Sequence, residues 1–129
     1  MTAAKGRVRA PKDAPCALPG ISERNFRAMV LDYARLNGWL CYFTWSSIHS
    51  PAGFPDLVLV RPPRLIFAEL KTNKGKVSLA QKEWIDALMD LPRSDFASPM
   101  TYVWRPRDWD EIERVLDGAA RILAREEGA

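Results

Sequence analysis

The sequence predicts an α/β domain, a mixed β-sheet flanked by helices in the order α-β-β-β-α-β-α. Apolar residues recur at helical spacing in three separate stretches. Four short runs rich in aromatic and β-branched residues read as strands, and glycine or proline punctuates the junctions. Strands alternating with helices in this way favour a sheet with helices packed upon it.

Residues 1–20 hold Lys5, Arg7, Arg9 and Lys12 among prolines, without apolar periodicity, and are expected to form a flexible basic arm. That arm is either an end without a role or a segment that touches phosphates. The domain proper is expected over 21–125. Ser22 is a suitable N-cap, and Phe26, Met29, Val30, Tyr33 and Leu36 mark a helix that Gly38 stops. Trp39 to Trp45 reads as the first strand. Pro55 to Arg61 and Arg64 to Lys71 read as the second and third, turning at Pro62-Pro63. Pro-Pro does not suit the primed turns of two-residue hairpins, so a longer loop is expected, Arg61 to Arg64, with the same centre. Ser78 and Gln81 match a capping box that opens a helix through about Leu91. Pro99 to Arg105 reads as the fourth strand. Trp109, Ile112, Val115, Leu116, Ala119 and Leu123 mark the last amphipathic helix.

At 129 residues the chain fits one domain with a real core. Its 47% apolar and 27% charged residues match an ordinary soluble globular protein and argue against a disordered class. The net charge of +3 is compatible with a polyanionic partner without requiring one. Cys16 and Cys41 have no metal-site or disulfide-framework spacing, so a reducing compartment is expected. No apolar run approaches the ~18 residues of a membrane span, and the N-terminus lacks a signal-peptide core. A cytoplasmic protein with no membrane partner is the expectation.

The second and third strands carry the chemistry. With the turn centred on Pro62-Pro63, Asp56 and Glu69 face each other across the ladder, their Cβ atoms roughly 5 Å apart. Val58, Val60, Leu65 and Phe67 share their face, while Leu57, Leu59, Ile66 and Ala68 line the other, so the hairpin is expected to be buried on both sides. Two like charges at the end of such a hairpin call for a cation between them. Carboxylates with few other ligands suit Mg²⁺ or Mn²⁺, which keeps waters and takes phosphate oxygens. Lys71, two residues beyond Glu69, points to the same face. There its ammonium can orient or help deprotonate the attacking water, or steady charge growing on a phosphate. The competing reading is an exposed salt bridge between strand ends.

These residues resemble the PD-(D/E)xK nuclease superfamily and, more narrowly, the VRR-NUC family of virus-type replication-repair nucleases found in phages and bacteria. The resemblance runs from about Ser22 to Leu116 and rests on GFPDLVLV (Gly53 to Val60), FAELK (Phe67 to Lys71) and SLAQKEW (Ser78 to Trp84), in that order. It implies a restriction-endonuclease-like fold and Mg²⁺- or Mn²⁺-dependent hydrolysis of DNA phosphodiester bonds. Asp56 and Glu69 would bind metal, and Lys71 would serve the nucleophilic water. The family's helix glutamate falls on Glu23, whose other reading is a carboxylate at a helix N-terminus. The family's glutamine falls on Gln81, which is also the N3 member of the capping box. The resemblance further implies branched or junction DNA as substrate, homodimers, and a role in replication, recombination or repair. Its rival is a non-catalytic DNA-binding module that keeps the fold.

Other candidates for DNA contact are His49, Lys74, Lys76, Arg105 and Arg107, each of which also reads as an ordinary solvated residue. The five tryptophans fall mostly on periodic apolar positions and are expected to pack in the core.

Overall fold

A computed structural model describes residues 20–44, 48–92 and 99–118. Its elements are helix α1 (Glu23–Leu36), strands β1 (Leu40–Phe43), β2 (Leu57–Arg61) and β3 (Arg64–Leu70), helix α2 (Leu79–Met89), strand β4 (Met100–Trp104) and helix α3 (Trp109–Leu116), the last preceded by a 3-10 turn at Pro106–Asp108. The order is the α-β-β-β-α-β-α read from the sequence. The strands form one mixed sheet, β1-β2-β3-β4, antiparallel except for the parallel β3–β4 pair. The arm expected over 1–20, apart from Gly20, lies outside the described residues. So do Trp45, Ala119 and Leu123.

Local chemistry sets the boundaries. Ser22 Oγ accepts the Asn25 N–H (3.0 Å) and starts α1, and Gly38, at φ +86°, lets the chain reverse after it. Ser78 and Gln81 close a reciprocal capping box, with Ser78 Oγ accepting from the Gln81 N–H and Gln81 Oε1 from the Ser78 N–H. The strands are shorter than the sequence runs. Trp39 turns out of β1 into the core, where its indole N–H donates to the Leu116 carbonyl (3.0 Å).

The β2–β3 pairing runs from Leu57 opposite Ala68 to Arg61 opposite Arg64, the register expected from a turn centred on Pro62-Pro63. The loop itself is shorter than expected. Arg61 and Arg64 pair, and the Pro62-Pro63 bond is cis, as at the i+2 position of a type VI turn. A second expectation also needs correcting, because only one face of this hairpin is fully covered. Leu57, Leu59, Ile66, Ala68 and Leu70 are buried with Phe26, Val30, Ile112 and Leu116 of α1 and α3. On the opposite face Val58, Val60, Leu65 and Phe67 are half-buried, and Leu40 and Tyr42 of β1 are exposed. Two helices share the first face, whereas α2 packs on the second at its β4 side and leaves the β1 side open.

The hairpin arginines tie the sheet to the end of α3. Arg64 Nη1 donates to the Val115 carbonyl (2.7 Å) and Arg61 Nη2 to that of Gly118 (3.2 Å), where a cation also complements the helix dipole. Both guanidinium groups lie over the Trp39 ring. Among the described residues no helix is long and apolar enough to cross a membrane.

Candidate active site

At its open end the β2–β3 ladder stops at Leu57, because Pro55 has no N–H to continue it. Asp56 takes over. Its carbonyl accepts the Thr44 N–H, and its side-chain Oδ2 accepts the Leu70 N–H at 2.9 Å. This fixes the carboxylate where its charge acts on Glu69. Glu69 lies on the central strand β3 and is 1% exposed. Its Oε2 accepts from Gln81 Nε2 (2.9 Å) and stands 3.6 Å from Lys71 Nζ, while its Oε1 is buried with no donor.

Burial, followed by the Asp56 charge, pushes the Glu69 carboxyl up to about 8, although Lys71 pulls the other way. The Glu23 charge also acts on Glu69. The Glu23 carboxyl is raised by burial and by Asp56 and lowered by Lys71 and Arg27. The first turn of α1 therefore brings Glu23 into the field of the cluster. Asp56, Glu69, Lys71, Gln81 and Glu23 come from α1, β3, α2 and the residues flanking β2 and β3, and they converge on one end of the sheet.

The donor set fits a hard divalent cation. An undonated carboxylate oxygen buried beside a second carboxylate is a costly arrangement for the metal-free chain, and a cation offsets both the repulsion and the desolvation. No group of three Asp, Glu, His or Cys side chains among the described residues encloses an ion by itself. An ion held by Asp56 and Glu69 alone would keep waters and substrate oxygens in its other positions, the habit of Mg²⁺.

Gln81 carries two tasks at once. Its Oε1 closes the capping box of α2 and its Nε2 holds Glu69, so the helix start is keyed to the centre. Gly53 keys the preceding loop to the same helix. At φ +99°, a Cβ there would lie 2.4 Å from the Ala80 carbonyl oxygen, a backbone atom that no side-chain rotation can move. Gly53→Ala is expected to destabilise the fold by about 1–3 kcal/mol. It should also lower activity, because α2 must shift and carry Gln81 with it. Urea denaturation compared with an activity assay checks this, and an unchanged midpoint would show the loop to be free of α2.

The remaining candidates stand apart from the centre. Arg105 Nη1 donates to the carbonyls of Thr72 and Gly75 (both 2.7 Å), and Arg107 bonds Asn73 through its backbone N–H and its guanidinium. Together they hold the loop that presents Lys74 and Lys76, both exposed. His49 is exposed in the loop before β2. Sequence periodicity missed Trp84. It is 37% exposed and lines, with Tyr42, Phe54, Asp56 and Gln81, a cavity of about 460 Å³. The signal that could have found it is its place three residues after Gln81, on the same helix face.

A family model described as the VRR-NUC domain matches residues 23–97. The match takes in all five converging residues and leaves β4 and α3 outside. No curated protein and no solved structure matches the chain. With more than half its length matched, the chain belongs to the VRR-NUC family of nuclease domains.

Proposed function

We propose that the protein is a Mg²⁺- or Mn²⁺-dependent deoxyribonuclease that cuts branched DNA, such as Holliday junctions, in phage or bacterial replication, recombination or repair. The observation that carries this reading is the buried, undonated Oε1 of Glu69 beside Asp56, with Lys71 on the same face. Asp56 and Glu69 would hold the metal, which would supply Lewis-acid polarisation of the phosphodiester.

The chain's own groups do the rest. Lys71, 13% exposed, keeps its ammonium at the edge of the cluster, where it orients the attacking water and offsets charge developing on the phosphate. Gln81 holds Glu69 in a single rotamer, and the Leu70 N–H does the same for Asp56. Glu23 adds negative charge that strengthens the hold on a cation. Lys74, Lys76 and His49 are exposed and would meet phosphates, which supplies affinity without sequence preference. The described residues of each chain carry one such centre, which cuts one strand at a time. Paired cuts at a junction therefore call for a homodimer. The host cytoplasm is where such a substrate is met.

A panel of junctions, flaps, nicked duplex and single strands tests this, run with Mg²⁺, with Mn²⁺ and with chelator. Cleavage that needs the metal, favours the branched members and vanishes in Asp56→Ala is the expected result. Equal behaviour of wild type and Asp56→Ala would leave a DNA-binding module instead.

A further inference from the structure

Beside the carboxylates the surface is not the polar groove that phosphate binding alone requires. The cavity there is walled by three aromatic rings that keep solvent access, with Trp84 37%, Phe54 38% and Tyr42 63% exposed. A contiguous patch of exposed aromatic rings beside a charged centre marks a ligand-binding groove. Their arrangement is fixed. Phe54 meets Trp84 edge-on at 5.0 Å and 83°, and meets Phe67 of β3 edge-on at 5.9 Å and 87°. Gly53 locks the Phe54 loop against α2. Thr44 and Ser50 also line the cavity, and a hydroxyl can meet the polar edge of a planar ligand.

We propose that this cavity receives one unpaired nucleobase of the strand being cut, stacked on Trp84, next to the phosphate presented at the centre of Asp56, Glu69 and Lys71. This rests on the nuclease reading and narrows its substrate class. At about 460 Å³ the cavity lies within the range of about 300–1,000 Å³ typical of small-ligand sites. A base inside duplex has both faces covered by its neighbours, so only an unpaired or extruded base can offer a face to Trp84. Seating it beside the centre also fixes which phosphate is presented to Glu69 and Lys71. The site therefore selects DNA with an unpaired nucleotide flanking the cut, as at a flap, a bubble or a strained junction.

Two measurements test this. In the first, oligonucleotides carrying 2-aminopurine at single unpaired positions are bound to Glu69→Gln protein, which removes turnover from the readout. Quenching at one position flanking the cut is expected, relieved by adding Trp84→Ala and kept with Trp84→Phe. In the second, single-turnover cleavage compares substrates that differ only in whether the flanking nucleotide is paired. Trp84→Ala is expected to reduce the preference for the unpaired substrate about 5- to 150-fold, the span of base–aromatic stacking, and Trp84→Phe to restore most of it. An unchanged preference in Trp84→Ala, or equal losses on both substrates, overturns the proposal and leaves the nuclease intact. A wild type that cuts nothing overturns the nuclease reading, while the quenching still decides whether a base docks on Trp84.

Discussion

Asp56→Asn is expected to lower the single-turnover cleavage rate by at least ~10²–10³-fold while leaving the fold intact, and to abolish the rise in melting temperature on adding Mg²⁺. The size follows from removing a charged group aimed at the reacting centre. Asparagine is the informative replacement because Asp56 has two duties. Its Oδ2 accepts the Leu70 N–H where the ladder ends, a bond that an asparagine Oδ1 can still make. Only the charge is lost, and with it half of the cation's anionic partners. The substitution would also end the repulsion on Glu69, and the new amide could donate to the undonated Oε1. The metal-free variant should therefore melt no lower than wild type. Alanine would remove charge and hydrogen bond together and confuse the two. Calorimetry with and without Mg²⁺, alongside a cleavage time course, separates them. Retained cleavage in Asp56→Asn would place the metal elsewhere.

Much of this centre is legible in the sequence because it depends on local rules. A turn at Pro62-Pro63 and strict alternation are enough to bring residues 56 and 69 to the same end of the hairpin, and the observed register agrees from Leu57 to Arg61. The capping box at Ser78 is equally readable, since both of its hydrogen bonds lie within one turn. What lies beyond reach depends on which element covers which surface. The unbroken apolar run of β2 and β3 has the look of two-sided burial, yet the second face is only half covered, because α2 packs at the β4 side.

Trp84 illustrates the same limit. Periodicity puts it on the stripe of Gln81, Ile85 and Leu88, and it cannot show that Ile85 is buried while Trp84 looks into a cavity. From its place after β4, Arg105 reads as a phosphate contact. Its guanidinium also spans back to Thr72 and Gly75, contacts 33 and 30 residues away in the chain that no local pattern announces. The part of Gln81 that reaches Glu69 is likewise a long-range contact, which the family resemblance anticipates and the capping box alone does not.

Glu69→Gln should separate activity from stability more sharply than any other change, with cleavage lost and the metal-free fold strengthened. Burial, and then the Asp56 charge, hold the folded carboxyl at about 8, against an ordinary value of 4.5. Below pH 4.5 both folded and unfolded chains carry the proton, and Glu69 contributes nothing to pH dependence. Between about 4.5 and 8 the unfolded chain has released it and the folded chain has not, so stability falls as pH rises, by up to about 1.4 kcal/mol per unit. Above about 8 both are ionised and the slope ends, leaving the metal-free protein weakened. A glutamine cannot titrate, can still accept from Gln81 through its oxygen, and can donate its amide to Asp56. Metal-free Glu69→Gln is therefore expected to be the more stable protein at about pH 8, with a flat profile across the window in which wild type declines. Mg²⁺ should raise the wild type and leave Glu69→Gln unchanged, since a cation that binds only the folded state adds about 2.7 kcal/mol at a hundred times its Kd and displaces the Glu69 proton. Urea midpoints from about pH 4 to 9, with Mg²⁺ and with chelator, check both halves. If the two proteins share one slope, the buried carboxyl is not the group that titrates, and the case for a cation between Asp56 and Glu69 loses its energetic ground.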